Sequence, residues 1–305
     1  MSGKVCVVGS FMADLVVTAP RRPQPGETLR GHDFAIYPGG KGYNQAVASR
    51  RAGAAVSFVG MLGKDAFGDM FVADLEAEGI DTTHVRRHAE VGTGVGLPVV
   101  EDDGQNSIII IPRANLELTP ADVEDAEGAI AGADVLLLQL ELTLETTAAA
   151  ARIARAAGTT VLLNPAPFAT LPAEILKDVD VLVPNEGEAR AFVGAPDETP
   201  IADVAALLRD TCHGALVVTL GGDGVLVSDA AGDVVVRSHR VPVVDTVGAG
   251  DVFCGALGSA LAEGLDLPAA VAWANAAGAL AVGRRGGSTS APFREEIRAL
   301  LDSRS

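Results

Sequence analysis

Basic residues are scarce in this chain: 23 Lys and Arg stand against 40 Asp and Glu, a net charge of −17. A face basic enough to track a nucleic-acid backbone or an anionic membrane is therefore not expected. Aromatic residues make up only 4% while hydrophobic residues reach 48%, so the core has to be built from Ala, Val and Leu, and the chain is not of the disordered class. The three cysteines, Cys6, Cys212 and Cys254, are far apart, odd in number and form no CxxC or Cys/His cluster. That excludes a disulfide framework and a zinc site and fits a reducing cytoplasm. The five histidines have no ligand spacing either. Arg152 and Arg155 interrupt the nearest approach to a membrane-length apolar run, and Asp14 breaks any signal-peptide core, so a cytoplasmic chain that starts to fold at about residue 4 is expected.

What is present is an alternation. Val5–Gly9, Val56–Gly60, Asp134–Leu138, Thr160–Leu163, Asp180–Val183 and Ala215–Thr219 read as buried strands. Between and after them lie helical runs at Gly42–Ala52, Asp69–Glu78, Leu144–Ala157, Ile201–Asp210, Ala249–Glu263, Leu267–Gly283 and Arg294–Leu301. This is the pattern of a mainly parallel sheet with helices on both faces, and 305 residues suit one such domain. Val225–Ser228 and Val234–Arg237 read as an antiparallel extension. Two stretches break the pattern, roughly 11–38 and 92–115. In the first, prolines at 20, 23 and 25 favour short strands and turns. In the second, Asp102-Asp103-Gly104 reads as a hairpin turn between Val95–Val100 and Ser107–Ile111. The two stretches are expected to pair as a small sheet projecting from the main body.

Two glycine clusters carry the chemistry. In Val243-Val-Asp-Thr-Val-Gly-Ala-Gly-Asp251, a strand gives way to Asp245 and then to a Gly248-Ala249-Gly250 turn that opens a helix. Unpaired amides and the positive end of a helix dipole make such a turn an anion site suited to a phosphoryl group in transfer. Asp251, in the first helical turn, is placed to take a proton from an incoming hydroxyl. Alone, the same string is more often only a loop with an acid near an N-cap. The second cluster, Pro38-Gly39-Gly40-Lys41-Gly42-Tyr43-Asn44-Gln45-Ala46, allows close backbone approach to a polar ligand, with Asn44 as donor and acceptor. It has neither the spacing of a P-loop nor the position of a dinucleotide fingerprint after a strand, which also disfavours a dehydrogenase.

Together with Gly9-Ser10-Phe11-Met12-Ala13-Asp14, Gln139-Leu140-Glu141, Asn164-Pro165-Ala166-Pro167, Pro184-Asn185-Glu186-Gly187-Glu188 and Thr219-Leu220-Gly221-Gly222-Asp223-Gly224, in this order, these clusters resemble the ribokinase branch of the PfkB carbohydrate-kinase family. The resemblance spans the whole chain. It implies a three-layer α/β/α sandwich with a mainly parallel central sheet and a small β-sheet lid, the lid formed by the two inserted stretches. It implies ATP-dependent transfer to a pentose 5-hydroxyl, with Asp251 as base and Gly248, Ala249 and Gly250 forming the anion hole. Met12, Asp14, Gly39, Gly40, Lys41, Asn44 and Glu141 would border the sugar. Asn185, Thr219, Gly221, Gly222, Gly224, Gly250 and Asn275 would border ATP, and Asn185 and Glu188 would face Mg²⁺ largely through water. Read without the family, that last pair is an N-cap and a first-turn acid. A K⁺ site would draw on Asp245, Val247, Ala281, Arg284, Gly286 and Ser290. The partners implied are a sugar and ATP, with no nucleic acid and no membrane, in a homodimer joined through the lid.

Three residues depart from the pattern. Met12 stands where such kinases usually carry an asparagine that binds a ring hydroxyl near the 2-position, and a thioether cannot replace it. An apolar pocket there would accept 2-deoxyribose while rejecting ribose by no more than about 10². Packing of Met12 against the lid is the other reading. Tyr43 and Arg113, in place of small residues near the expected sugar site, leave a fructokinase or a nucleoside kinase of the same fold open. A non-catalytic sugar or nucleotide sensor on this scaffold is the rival of another class. A sensor has no need of Asp251 beside the Gly-Ala-Gly turn.

Overall fold

The structure, a computed structural model, describes residues 2–303. Its strands are β1 (Lys4–Val8), β2 (Met12–Ala19), β3 (Asp33–Gly39), β4 (Ala55–Gly63), β5 (Asp81–His88), β6 (Val95–Glu101), β7 (Asn106–Ile111), β8 (Val135–Leu138), β9 (Thr160–Leu163), β10 (Val181–Leu182), β11 (Ala215–Thr219), β12 (Val225–Asp229) and β13 (Gly232–Val236). Its helices are α1 (Lys41–Ala52), α2 (Ala66–Glu78), α3 (Pro120–Glu124), α4 (Glu127–Ala131), α5 (Leu144–Ala157), α6 (Ala173–Leu176), α7 (Glu186–Val193), α8 (Ile201–Arg209), α9 (Ala249–Ala262), α10 (Leu267–Val282) and α11 (Arg294–Asp302).

Nine strands form the central sheet in the order β13-β12-β11-β10-β9-β8-β1-β4-β5, parallel from β5 through β11 and antiparallel at β12 and β13. Because strand side chains alternate between faces, each inner strand feeds two cores. Val5, Val7, Leu137, Leu162 and Val217 pack with α1, α2, α9, α10 and α11. Cys6, Val8, Leu136, Leu138, Leu163 and Leu216 pack on the other face with α3 through α8. This is the three-layer arrangement expected. The chain leaves β1 for β4 and β5 on one side and returns to β8 on the other, so the sheet has its switch point between β1 and β8. Loops diverge there at the carboxyl ends of the strands and leave a crevice.

A second sheet of four strands runs in the order β3-β2-β6-β7. Pro20, Pro23 and Pro25 lie outside the strands of this sheet, which are longer than the sequence suggests: β2 begins at Met12 and pairs with β3 from Met12↔Gly39 to Thr18↔Asp33. Two further expectations change. β5 was not foreseen, because its Asp-Thr-Thr-His-Val-Arg-Arg-His has one aliphatic residue and no hydrophobic alternation; parallel pairing with β4 makes it a strand. Helix α2 begins at Ala66 rather than 69, since the Asp65 carboxylate accepts the Gly68 amide at 2.9 Å as an N-cap.

Helices α1 and α9 cross closely. A methyl at Gly255 would lie 2.5 Å from the Gln45 carbonyl oxygen and 2.6 Å from the Ala48 Cβ. Ser49 Oγ bridges the pair, its one proton within reach of both the Gln45 and the Gly255 carbonyl at 2.8 and 2.9 Å. The crossing brings both glycine clusters of the sequence to the same end of the sheet.

Candidate active site

Helix α9 opens at Gly248, whose φ of 74° is the left-handed conformation glycine takes without strain. A methyl here would also meet the Gly287 Cα at 2.6 Å, so the turn is pressed against the loop that follows α10. The Ala249 amide donates to the Thr246 carbonyl at 3.3 Å. The amides of Gly250 and Asp251 fall in the first turn, where no intrahelical acceptor exists.

Asp251 is 7% exposed, and each of its oxygens is held by an amide side chain of α1. Asn44 Nδ2 donates to Oδ2 at 3.0 Å and Gln45 Nε2 donates to Oδ1 at 3.2 Å. The Asn44 carbonyl oxygen in turn accepts the Ser288 amide at 3.1 Å, which links the carboxylate to the 283–290 loop. The Lys41 ammonium lies among Asp251, Glu141 and Glu188, and the Asp251 charge above all pushes its pKa upward.

Two cavities meet at this helix end. One of about 200 Å³ is polar and bordered by Lys41, Asn164, Asn185, Glu188, Thr219, Gly250 and Asp251. The other, of about 400 Å³, is mostly apolar and bordered by Gly221, Gly222, Gly224, Val243, Phe253 and Asn275, with Thr219 and Gly250 common to both. Gly224, at φ 107°, lets the 221–224 turn pass within contact of the Val236 carbonyl, which a methyl would meet at 2.1 Å. Asn275 is held by donating to the Arg237 carbonyl at 2.9 Å.

The proposed sugar residues gather on the other side of Asp251. Asp14 lies on β2, between Tyr37 of β3 and Gly96 of β6 in the register. Gly39 and Gly96 are needed there, since a methyl would sit 2.3 or 2.2 Å from the Asp14 carboxylate oxygens. Burial, and then the Glu141 charge, push the Asp14 pKa up to about 6. Glu141 accepts the Lys41 amide at 2.8 Å and the Ser10 hydroxyl. Gly40, at φ 93°, makes the turn from β3 into α1. Met12 is 3% exposed at the base of β2. None of Met12, Asp14, Gly39, Gly40, Asn44 and Glu141 borders either cavity; Asp14 and Glu141 form a polar floor by the small sheet, with Met12 as an apolar neighbour on β2.

Asn185 and Glu188 form a reciprocal capping box at the start of α7: Glu188 N donates to Asn185 Oδ1 and Asn185 N donates to Glu188 Oε2, both at 2.8 Å. The bland reading of this pair is therefore realised in the structure. The box leaves Glu188 Oε1 for the polar cavity, and burial raises the Glu188 pKa. That arrangement fits a Mg²⁺ ion reached through water rather than bound directly. Asp245 accepts the Val247 and Gly286 amides at 3.0 Å each, fastening the segment before the turn, which is irregular and not the strand expected there, to the 283–290 loop. Ser290, fully buried, donates to the Gly287 carbonyl. The Ala281 carbonyl accepts the Arg284 amide at 2.9 Å. A carboxylate, carbonyls and a hydroxyl are a hard oxygen set that fits an alkali cation. Among the described residues no group of three or more His, Cys, Asp or Glu is arranged to hold a metal.

Two residues singled out near the sugar site are engaged with other partners. Tyr43 is 3% exposed in an aromatic cluster, 5.0 Å from Phe71 and 6.4 Å from Phe11, away from Asp14. Arg113 takes a φ of 48°, where glycine would be at ease, and donates to the Thr93 carbonyl at 3.1 Å. Gln45, Gln139 and Asn164 belong to the sequence motifs, which assign them no role. Gln45 and Gln139 are almost fully buried and Asn164 is 8% exposed. The signal was available in α1, where Gln45 falls four residues after Lys41 and four before Ser49, a polar stripe on one face of the helix.

A deep crevice at the switch point of a parallel sheet, with a carboxylate at a glycine-rich helix start and two adjoining cavities, defines a phosphotransferase-type site. The sequence profile of the pfkB family carbohydrate kinases matches residues 2–294, and the chain belongs to that family. It is 37% identical to the ribokinase of Haemophilus influenzae, over 99% of both chains. It is 36% identical to a deoxyribokinase of Salmonella typhi, covering 97% of this chain and 98% of that one. The structure of Arabidopsis thaliana ribokinase complexed with ribose and ATP superposes with a TM-score of 0.91 at 32% identity, covering 99% of each chain.

Proposed function

We propose that this chain is an ATP-dependent pentose kinase that phosphorylates the 5-hydroxyl of ribose, 2-deoxyribose or both. The observation that carries the proposal is Asp251: a buried carboxylate in the first turn of α9, with the polar cavity on one side and the Asp14–Glu141 floor on the other. The similarity to a ribokinase with ribose and ATP bound, and to a deoxyribokinase, supports the substrate class.

In this reading Asp14, Asn44 and Glu141 pair the sugar hydroxyls, which on burial all require partners. Asp251 accepts the proton of the 5-hydroxyl as it attacks. The amides of Gly250 and Asp251, with the α9 dipole, hold the charge of the phosphoryl oxygens, while the Ala249 amide first has to leave Thr246. Lys41 supports the same charge from the polar cavity. The apolar cavity beside Asn275 takes the nucleotide base. Catalysis is mainly positioning and electrostatics along an in-line path. Mg²⁺, when bound, neutralises phosphate charge near Asn185 and Glu188. K⁺, when bound near Asp245, Val247, Ala281, Arg284, Gly286 and Ser290, orders the loop behind the anion hole.

The small sheet serves as a lid that excludes water and as a homodimer contact. The dimer contact rests on the apolar face opposite Asp14, where Phe34 is 56% and Ile109 66% exposed. The three cysteines are free thiols, which suits a cytoplasmic location. The deciding experiment is a coupled assay of ADP release over pentoses, hexoses and nucleosides, with K⁺ or Na⁺ as the sole alkali cation. Pentose-dependent ADP release confirms the proposal. Release only with a hexose or a nucleoside, or none with any sugar, overturns it.

A further inference from the structure

Behind Asp251 lies a network of side-chain amides, of which only Asn164 reaches the polar cavity, and the assignments above leave it without a task. Gln45, fully buried on α1, donates through Nε2 to Asp251 Oδ1 at 3.2 Å and to Asn164 Oδ1 at 3.3 Å. Its own Oε1 accepts Gln139 Nε2 at 2.7 Å. Asn164, at the end of β9, is anchored by donating to the Val183 carbonyl at 2.8 Å. Gln139 follows β8, and its Oε1 is buried without a hydrogen-bond partner, an expensive arrangement for a site with no task. The Gln139 and Asn164 amides therefore sit at the ends of adjacent strands, next to the switch point, and fix the Gln45 amide from two sides.

We infer that Gln45 is a positioning residue: it turns the Asp251 carboxylate so that one oxygen faces the attacking hydroxyl. The reasoning is geometric. A carboxylate in a helical first turn has strong competing partners, namely its own helix amides and the Lys41 ammonium in the adjoining cavity. Asn44 restrains only Oδ2, leaving the carboxyl plane free to rotate about the Cβ–Cγ bond. A second donor on Oδ1, itself locked at both ends, removes that freedom. Neutral amides suit this duty, because they orient the base without adding the full charge that a second Lys or Arg would bring. The inference rests on Asp251 being the base.

The test compares Gln45→Met, Gln139→Met and Asp251→Asn with wild type, each by thermal melting and by steady-state kinetics in both substrates. Misplacement of a reacting group by about 1 Å costs on the order of 10²-fold. Gln45→Met is therefore expected to lose about 10- to 100-fold in kcat, with KM for sugar and ATP within about threefold of wild type. Gln139→Met removes a partner from the same network without touching Asp251, so it is expected to lower the melting temperature with a clearly smaller loss of kcat. If the two Met variants lose kcat equally, or if Gln45→Met raises KM and leaves kcat intact, Gln45 is structural and the inference fails. Should Gln45→Met not fold, Gln45→Asn, which keeps a buried amide but draws it back by one methylene, decides by the same kinetic split. An active Asp251→Asn protein would instead sink the assignment of the base, a result separable from failure at Gln45.

Discussion

Substitution of Met12 by asparagine offers the sharpest test of how the sugar is read. Met12 pairs with Gly39 at the base of β2 and stands two residues before Asp14, hence on the same face of the strand. Its thioether is 3% exposed, so the face beside Asp14 is dry at that point. An asparagine places a donor and an acceptor there. With ribose bound, the 2-hydroxyl satisfies the amide; with 2-deoxyribose bound, the amide is left buried and unpaired. That asymmetry is worth about 1–3 kcal/mol, or roughly 5- to 150-fold in relative kcat/KM. The ratio of ribose to 2-deoxyribose turnover should therefore rise by that factor in Met12→Asn, mostly through loss of the deoxy sugar. The sugar-free enzyme should also melt earlier, because the new amide then depends on water. Coupled ADP release with both sugars at matched ATP gives the ratio, and calorimetry gives the melting temperature. A folded variant whose ratio stays within a factor of two of wild type would show that residue 12 does not touch the ring and only packs beneath the small sheet.

Replacing Asp251 by alanine should cost about 10²–10⁴ in kcat with sugar binding retained by equilibrium dialysis, and near-full activity would refute the base. Asp14 supplies a pH dependence. Its pKa of about 6 means that the carboxylate protonates as pH falls through 6, so sugar KM should be flat above pH 7 and rise about tenfold per unit well below 6. The sign for stability is opposite. The folded pKa lies above the ordinary 3.8, the native state holds the extra proton, and this contribution to stability is lost as pH rises from about 4 to 6. A KM that does not change between pH 7.5 and 5 excludes an ionised Asp14 at the sugar. Gly255→Ala should destabilise the protein by about 1–3 kcal/mol, since the added methyl strikes the α1 backbone; an unchanged denaturation midpoint would mean that the crossing is looser than described.

The strands and helices most legible in the sequence are those whose two neighbours are both apolar. β1, β8, β9 and β11 read as continuous Val and Leu runs because each is buried on both faces. β5 was illegible for the converse reason: it is an edge strand, held by backbone pairing to β4, and its side chains carry no periodic signal. The glycine turn, Asp251 and the capping residues of α7 could be found from sequence because turn and cap chemistry is local. The partition of the proposed site was not. Nothing in the spacing shows that Lys41 projects toward Asp251 and Glu188, one residue beyond the Gly39-Gly40 turn that serves Asp14. Tyr43 looked like a specificity residue in the linear motif, yet the helical turn rotates it into the Phe11–Phe71 cluster.

That partition explains why the acidic chain can handle a polyanion. The 40 acids are not spread evenly over the proposed path of the phosphates. Asp14 and Glu141 lie under the small sheet, Glu188 is half engaged in its capping box, and Asp251 is tied by two neutral amides. What faces the polar cavity to offset them is the Lys41 ammonium together with first-turn amides, whose dipoles need no counter-charge. Removing Lys41 would leave two carboxylates, Glu188 and Asp251, around one phosphoryl path with only backbone dipoles to oppose them. Lys41→Met should therefore weaken ATP and lower kcat together, while leaving the equilibrium affinity for the sugar nearly unchanged. The opposite pattern, sugar affinity lost and ATP kept, would place the ammonium on the Asp14 side and redraw the boundary between the two halves of the site.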